Sequence, residues 1–325
     1  MMNELVYLLS ILGIFAVLWW ILGLSNDRFK RTNYYQNEFR QLEKFTNGVP
    51  DQLEIVNTGS SHGKYALDYD AAKVRGFNFA LFPQSLSYDF RVLQAYKEHY
   101  AEKCHVLLVI TVLAFSFLDY SDDRSNTKYY FFLQPSSIRG YRKIKYFLRV
   151  KYPILSSWKN WIRIFQDTPY QSYWARTAQD ASLPEAQRAA KERADGWRRQ
   201  FALADMENPR SAEHLHPVFQ QTQALVRAMI SFCQTRGWRP VIVIPPLSDV
   251  MKKEFSREFM RAVLYDNVRE ANTAEIPILD YLYDERFGDY RLYGNADFLN
   301  KDGRRLFTQT VLHDLKKMAE RSDHE

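Results

Sequence analysis

Apolar and polar positions divide the chain into one long apolar run followed by a series of short ones. From Leu5 to Leu24 no charged residue occurs, and Val6, Leu8, Ile11, Phe15, Trp19, Trp20 and Ile21 all lie inside that run. A helix of about 20 apolar residues reaches across the hydrocarbon of a bilayer, so residues 1–26 are expected to form a transmembrane anchor. A cleaved signal peptide normally begins with basic residues and ends in small ones. This segment begins Met1-Met2-Asn3-Glu4 and leaves through Ser25-Asn26-Asp27-Arg28, so the expectation is a single uncleaved span. Residues 27–48 read as a polar helical linker.

Five shorter apolar runs follow, at Leu53 to Val56, Gly76 to Leu81, Val106 to Leu113, Val241 to Ile244 and Ile276 to Leu279. The periodicity between them predicts helices over Ser85–Glu98, over Val218–Arg236 up to Gly237, over 253–271, and after Asp302-Gly303 to the C-terminal end. Leu86, Phe90, Leu93 and Tyr96 share one face of the first; Leu306, Val311, Leu312 and Leu315 mark the last. Strands alternating with helices argue for an α/β fold, a three-layer parallel sheet covered on both faces. It would occupy residues 49–325, with a helical insertion at about 120–216 whose stretch Ala181 to Arg199 is strongly helix-forming.

Composition adds limits rather than a function. At 46% hydrophobic and 15% aromatic the chain is too apolar to be disordered. Its net charge is +6, and much of the basicity lies in Arg139, Arg142, Lys143, Lys145, Arg149, Lys151, Lys159 and Arg163, interleaved with Tyr141, Tyr146, Phe147, Tyr152, Trp158, Trp161 and Phe165. Such a stretch fits a surface for anionic lipid headgroups or a polyanionic glycan, and equally the solvated face of amphipathic helices. No nucleic-acid-binding motif accompanies it, so no nucleic acid partner is expected. Cys104 and Cys233 sit among apolar residues and read as buried packing. His214 with His216, and His99 with His105, lack metal-ligand spacing, so neither metal nor cofactor is expected. Arg28, Lys30 and Arg31 follow the span and no basic residue precedes it, which by charge alone would leave the large domain in the cytoplasm.

Open α/β sheets place their sites outside the carboxyl ends of the strands. There this chain carries Gly59-Ser60-Ser61-His62, Phe82-Pro83-Gln84-Ser85, Phe115 to Asp119, Pro245 to Ser248, Asp280 to Asp284 and Asn295 to Gly303. A serine at a strand-to-helix turn has an exposed hydroxyl beside backbone N–H groups, as acyl transfer requires. It is also a common helix cap, and Asn300 and Gly303 can be read as turn and cap before the last helix.

Gly59-Ser60-Ser61, the stretch Asn78 to Ser85, and Phe298-Leu299-Asn300-Lys301-Asp302-Gly303 together resemble the SGNH/GDSL-like hydrolase and acyltransferase superfamily. The chain looks most like its membrane-anchored, DltD-like group, which works beside membrane-bound O-acyltransferases on cell-surface polymers. The resemblance implies an SGNH/flavodoxin-like sheet, with Ser61 as nucleophile and the Ser61 N–H with Asn78 or Gln84 as oxyanion donors. It also implies substrate-binding places for Ser85 and Asn300, and as partners a cell-envelope polysaccharide or acyl donor and a membrane-bound O-acyltransferase. The location it implies is the cytoplasmic (inner) membrane, single-pass, with the domain outside, against the charge bias. Where the family has Asp-x-x-His in its last block, this chain has Asn295 and Phe298. His62 and Asp297 are then the remaining acid/base candidates, although a residue adjacent to Ser61 at a helix start points away from it.

Three readings stay open: a replacement base from His62 or Asp297; binding without turnover, as an inactive partner of an O-acyltransferase or polymer export system; or a different register of the last block, with His313 or His62 as base. The expected function is O-acylation of a cell-surface polysaccharide or envelope polymer, with the partner subunit and a free esterase as alternatives.

Overall fold

The computed structural model describes residues 2–39, 42, 45–46, 48–119, 123–166 and 182–322. Residues 120–122 and 167–181 of the expected insertion lie outside the described residues. Two compact units form, one from Met1–Val49 with Asn126–Ser172, the other from Pro50–Ser125 with Tyr173–Glu325.

In the first unit α1 (Met2–Lys30) has 29 residues. At 1.5 Å per residue it is about 43 Å long, and it is long and apolar enough to cross a membrane. It ends where Thr32 caps α2 (Asn33–Glu38), accepting from Tyr35 N at 3.3 Å and donating to Phe29 O at 2.7 Å. Several side chains in the stretch expected as a polar helical linker are buried. Phe29 and Tyr35 are buried with Ile154 and Ile164 in a small core, and Phe45 stacks on Phe132 at 4.5 Å. Asn26, also buried, ties the two segments together: its Nδ2 donates to Lys151 O and its Oδ1 accepts from Ile154 N.

The second unit is an α/β domain. Its parallel sheet comprises β1 (Leu53–Asn57), β2 (Gly76–Asn78), β3 (Tyr100–Val109), β4 (Arg239–Ile244) and β5 (Ile278–Asp280), in the order β2-β1-β3-β4-β5. All five expected strands are present with shifted ends. β2 stops at Asn78 rather than Leu81, β3 starts at Tyr100 and stops at Val109 rather than Leu113, and β5 runs to Asp280. Alternate residues feed opposite faces. Ile55, Leu107, Val109, Val241 and Val243 pack with Phe307, Val311 and Leu315 of the last helix, while Val56, Val106, Leu108, Ile242 and Ile244 are buried on the other face. Continuous apolar strands are what a sheet covered on both sides demands.

The helices that matter for the site are α3 (Ser61–Ala66), α4 (Leu86–Ala95), α5 (Leu183–Gln200), α6 (His216–Gln234) and α7 (Lys301–Ser322). The helix expected over 253–271 is broken into Arg257–Met260, a π turn Arg261–Tyr265, and Asp266–Ala271. Between β1 and β3 the strand order reverses direction, and a crevice at that point is the usual ligand position in such sheets.

Candidate functional site

β1 delivers the chain to this crevice through Thr58-Gly59-Ser60. Gly59 has φ +122°, and a Cβ there would lie 3.0 Å from both Val109 Cβ and Val109 O, so the turn requires glycine. Gly63 is equally constrained, since its Cβ would meet Thr58 O at 2.8 Å. Together the two glycines let α3 start hard against the end of the strand. Its first residue, Ser61, has no intrahelical partner for its N–H. Among the described residues the Ser61 hydroxyl makes no hydrogen bond. Ser60 does not cap the helix through its side chain; its hydroxyl accepts from Gln84 N at 3.2 Å.

A cavity of about 460 Å³ opens over this turn, lined by Ser60, Ser61 and His62, by the segment after β3 from Thr111 to Ala114, and by Arg193, Trp197 and Phe201 from α5 and its end. The wall is mostly apolar. Such a volume falls in the range of small-molecule pockets, about 300–1,000 Å³.

Of the expected site residues, His62 and Asp297 do meet. His62 Nε2 lies 3.6 Å from Asp297 Oδ2, too long for a hydrogen bond, and it has no other partner among the described residues. Asn295 sets this up: its Oδ1 accepts from Asp297 N and Phe298 N, at 3.0 and 2.8 Å, an Asx turn that brings Asp297 inward. Phe298 then packs edge-on against His62 with centroids 5.1 Å apart, and stacks on Tyr65. At Phe298, then, the side chain facing His62 is an apolar ring.

The residue that sequence reasoning missed is Arg193. Its Nε bonds Asp297 Oδ2 at 2.9 Å, and its guanidinium lies 5.1 Å from the ring centroids of both Trp197 and Phe298. A signal existed, because Ala186, Ala190, Ala194 and Trp197 form the buried stripe of α5 and Arg193 stands four residues before Trp197. Burial, then the Arg193 charge, lowers the His62 pKa to about 3. Burial raises that of Asp297 to about 6, against the opposing pull of Arg193. His62 is therefore neutral at physiological pH. A base this weak takes a serine proton poorly.

The four residues expected in oxyanion or binding roles, Asn78, Gln84, Ser85 and Asn300, each make hydrogen bonds to backbone. Asn78 Nδ2 donates to Gly63 O, Lys64 O and Leu67 O, and its Oδ1 accepts from Asn57 Nδ2 and Ala80 N. Gln84 Nε2 donates to Phe79 O at 3.2 Å and Asp89 Oδ1 at 2.6 Å, so both its hydrogens are taken. Buried Asp89 also accepts from Gly59 N at 2.8 Å, fixing the turn, and nothing in its sequence context marked it. Ser85 caps α4, accepting from Tyr88 N and donating to Asp119 Oδ1. Asn300 caps α7, accepting from Asp302 N and Gly303 N while its Nδ2 donates to Arg291 O at 2.7 Å. Of the expected oxyanion donors, only the Ser61 N–H is not committed elsewhere. Cys104 and Cys233 are buried free thiols, both pushed up to about 12 by burial.

No family model and no curated protein matches the chain. Among solved structures it is similar to a candidate acylhydrolase from Bacteroides fragilis NCTC 9343, at 8% sequence identity and TM-score 0.40, over 87% of this chain and 97% of that one. A likeness this distant adds nothing to the site. The α/β assignment rests on the five parallel strands themselves.

Proposed function

We propose that the chain is a single-span membrane protein of SGNH-like, DltD-like type that takes part in O-acylation of a cell-surface polysaccharide. In this reading it serves as the binding partner of a membrane-bound O-acyltransferase rather than as the acyl-transferring enzyme. The polymer and the acyltransferase come from the motif resemblance at Gly59-Ser60-Ser61 and Phe298 to Gly303. The choice of binding over turnover is carried by one observation: His62, neutral and buried, has Nε2 turned toward an Asp297 that Arg193 already holds. A serine hydroxyl without a base stays protonated and attacks poorly. The cavity would then receive the acyl group and position it.

Serine-dependent transfer is the second reading, favoured by the unbonded Ser61 hydroxyl on the cavity wall. The two separate in cells whose own copy is deleted. Ester-linked acyl groups, released from the polymer by mild base, are expected to vanish on deletion and to return with a Ser61→Ala chain. If Ser61→Ala, present at normal level, fails to restore them, the binding reading is wrong and the serine acts. If deletion changes nothing, the role in acylation itself falls. A reporter fused at the C-terminal end decides the side of the membrane. An external domain is expected, and a cytoplasmic signal would rule out direct work on the envelope polymer.

A further inference from the structure

Within the first unit, the basic and aromatic stretch lies along the exit end of α1. Trp19 of α1 stacks on Phe147 at 5.9 Å and meets Tyr152 edge-on at 5.0 Å. Trp19 stands five residues before Leu24, the end of the apolar run, which is about 8 Å inside it at 1.5 Å per residue. At the other end the Arg28 guanidinium lies 5.7 Å from the Phe165 centroid, about 6 Å beyond Leu24 on the same count. Residues 147–165 therefore straddle the level at which α1 passes from apolar to charged. Aromatic rings at that level belong to the headgroup region of a bilayer.

The composition of the segment fits the same level. Trp158 is 69% and Phe165 75% exposed, and Ile144, Leu155 and Ile162 are exposed as well, unusual for large apolar side chains on a surface facing water alone. Between Arg139 and Gln166 there are eight basic residues and no acidic one. Arg163 is committed to the Tyr34 ring at 3.6 Å and Arg149 to the Thr127 hydroxyl, whereas Lys143, Lys151 and Lys159 are exposed. We propose that residues 143–165 form a second membrane contact beside the span, seating their apolar side chains among lipid headgroups and binding the phosphates of anionic phospholipids through Lys143, Lys151 and Lys159. The surface would set the unit against the bilayer, where a single helix alone leaves it free to tilt.

The test uses the full chain with Leu155→Cys carrying an environment-sensitive fluorophore, the native thiols being buried. It is placed in nanodiscs of phosphatidylcholine alone or of an equal mixture with phosphatidylglycerol, each doped with a headgroup nitroxide lipid. Quenching is expected to be stronger in the anionic discs. It should fall back in the Lys143→Gln/Lys151→Gln/Lys159→Gln chain, each lysine weakening the contact about five-fold, and persist in the corresponding triple Lys→Arg chain. Equal quenching in both lipids, no change in the glutamine chain, or equal loss in the arginine chain overturns the proposal.

Discussion

Arg193 decides the chemistry of the cavity wall. Burial is the larger influence, lowering the pKa of His62 and raising that of Asp297, while the Arg193 charge pulls both down; Arg193→Gln is therefore expected to raise both, with His62 read by NMR on histidine-labelled chain and assigned with His62→Gln. An unmoved His62 resonance would mean that burial alone sets its state. The same values fix an acid dependence. His62 titrates near 6.5 when unfolded and at about 3 when folded, so between those limits the unfolded chain holds a proton that the folded chain does not. Stability present above pH 6.5 is lost as pH falls toward 3, by on the order of 5 kcal/mol at most. Asp297 acts in the opposite sense, since a raised folded value gives stability at low pH that is lost as pH rises through about 6. Removing the histidine with His62→Gln should shift the pH of maximum thermal stability to the acid side, as a melting series would show. The sequence placed His62 and Asp297 among the candidates because one adjoins Ser61 and the other stands beside Asn295, where the resemblance leaves its usual pair missing. The helical spacing of α5 put Arg193 near its buried stripe, but its partner was not legible, because Asp297 lies 104 residues further on and no local pattern ties the two together.

At the level of elements, the edge of the sheet is built from side chains that grip backbone. Asn78 joins the end of β2 to three carbonyls of α3 and the residue after it. Asn78→Ala is therefore expected to destabilise the fold by about 2–4 kcal/mol, as several buried polar groups lose partners at once. Thermal melting of the full chain checks this; an unchanged midpoint would return Asn78 to the list of possible ligand contacts. Gly63→Ala should cost a similar amount, about 1–3 kcal/mol, because its Cβ meets the Thr58 carbonyl, a backbone atom, at 2.8 Å. The positions of the strands were legible from their apolar runs, since a doubly covered sheet writes itself as unbroken Val, Ile and Leu. Whether an amide at a strand end faces a ligand or a neighbouring carbonyl was not legible, because that choice depends on which helix start packs beside it. Asn78 and Gln84 stand at the edge where they were expected, with their amides on Gly63, Lys64, Leu67, Phe79 and Asp89.

For the whole molecule, α1 predicts that the chain stays with the membrane pellet through an alkaline carbonate wash; release into the supernatant would be incompatible with a spanning helix. The long apolar helix α1 was legible as twenty uncharged residues, but the burial of Phe29 and Tyr35 behind the apolar run was not. A segment rich in charged and amide residues, with five aromatic residues among them, reads as a linker until Ile154 and Ile164 arrive to cover Phe29 and Tyr35. The two units are interleaved along the chain, each one interrupted by the other. Asn26 waits for partners 125 and 128 residues further on, which at about 5–20 residues per second is roughly 6–25 seconds of synthesis. During that interval α1 is already made while the aromatic side chains behind its apolar run have only one another to pack against, without Ile154 and Ile164. Biogenesis thus has a built-in vulnerable window, in which a nascent chain halted before residue 150 would present Phe29 and Tyr35 to chaperones or proteases that the finished protein never meets.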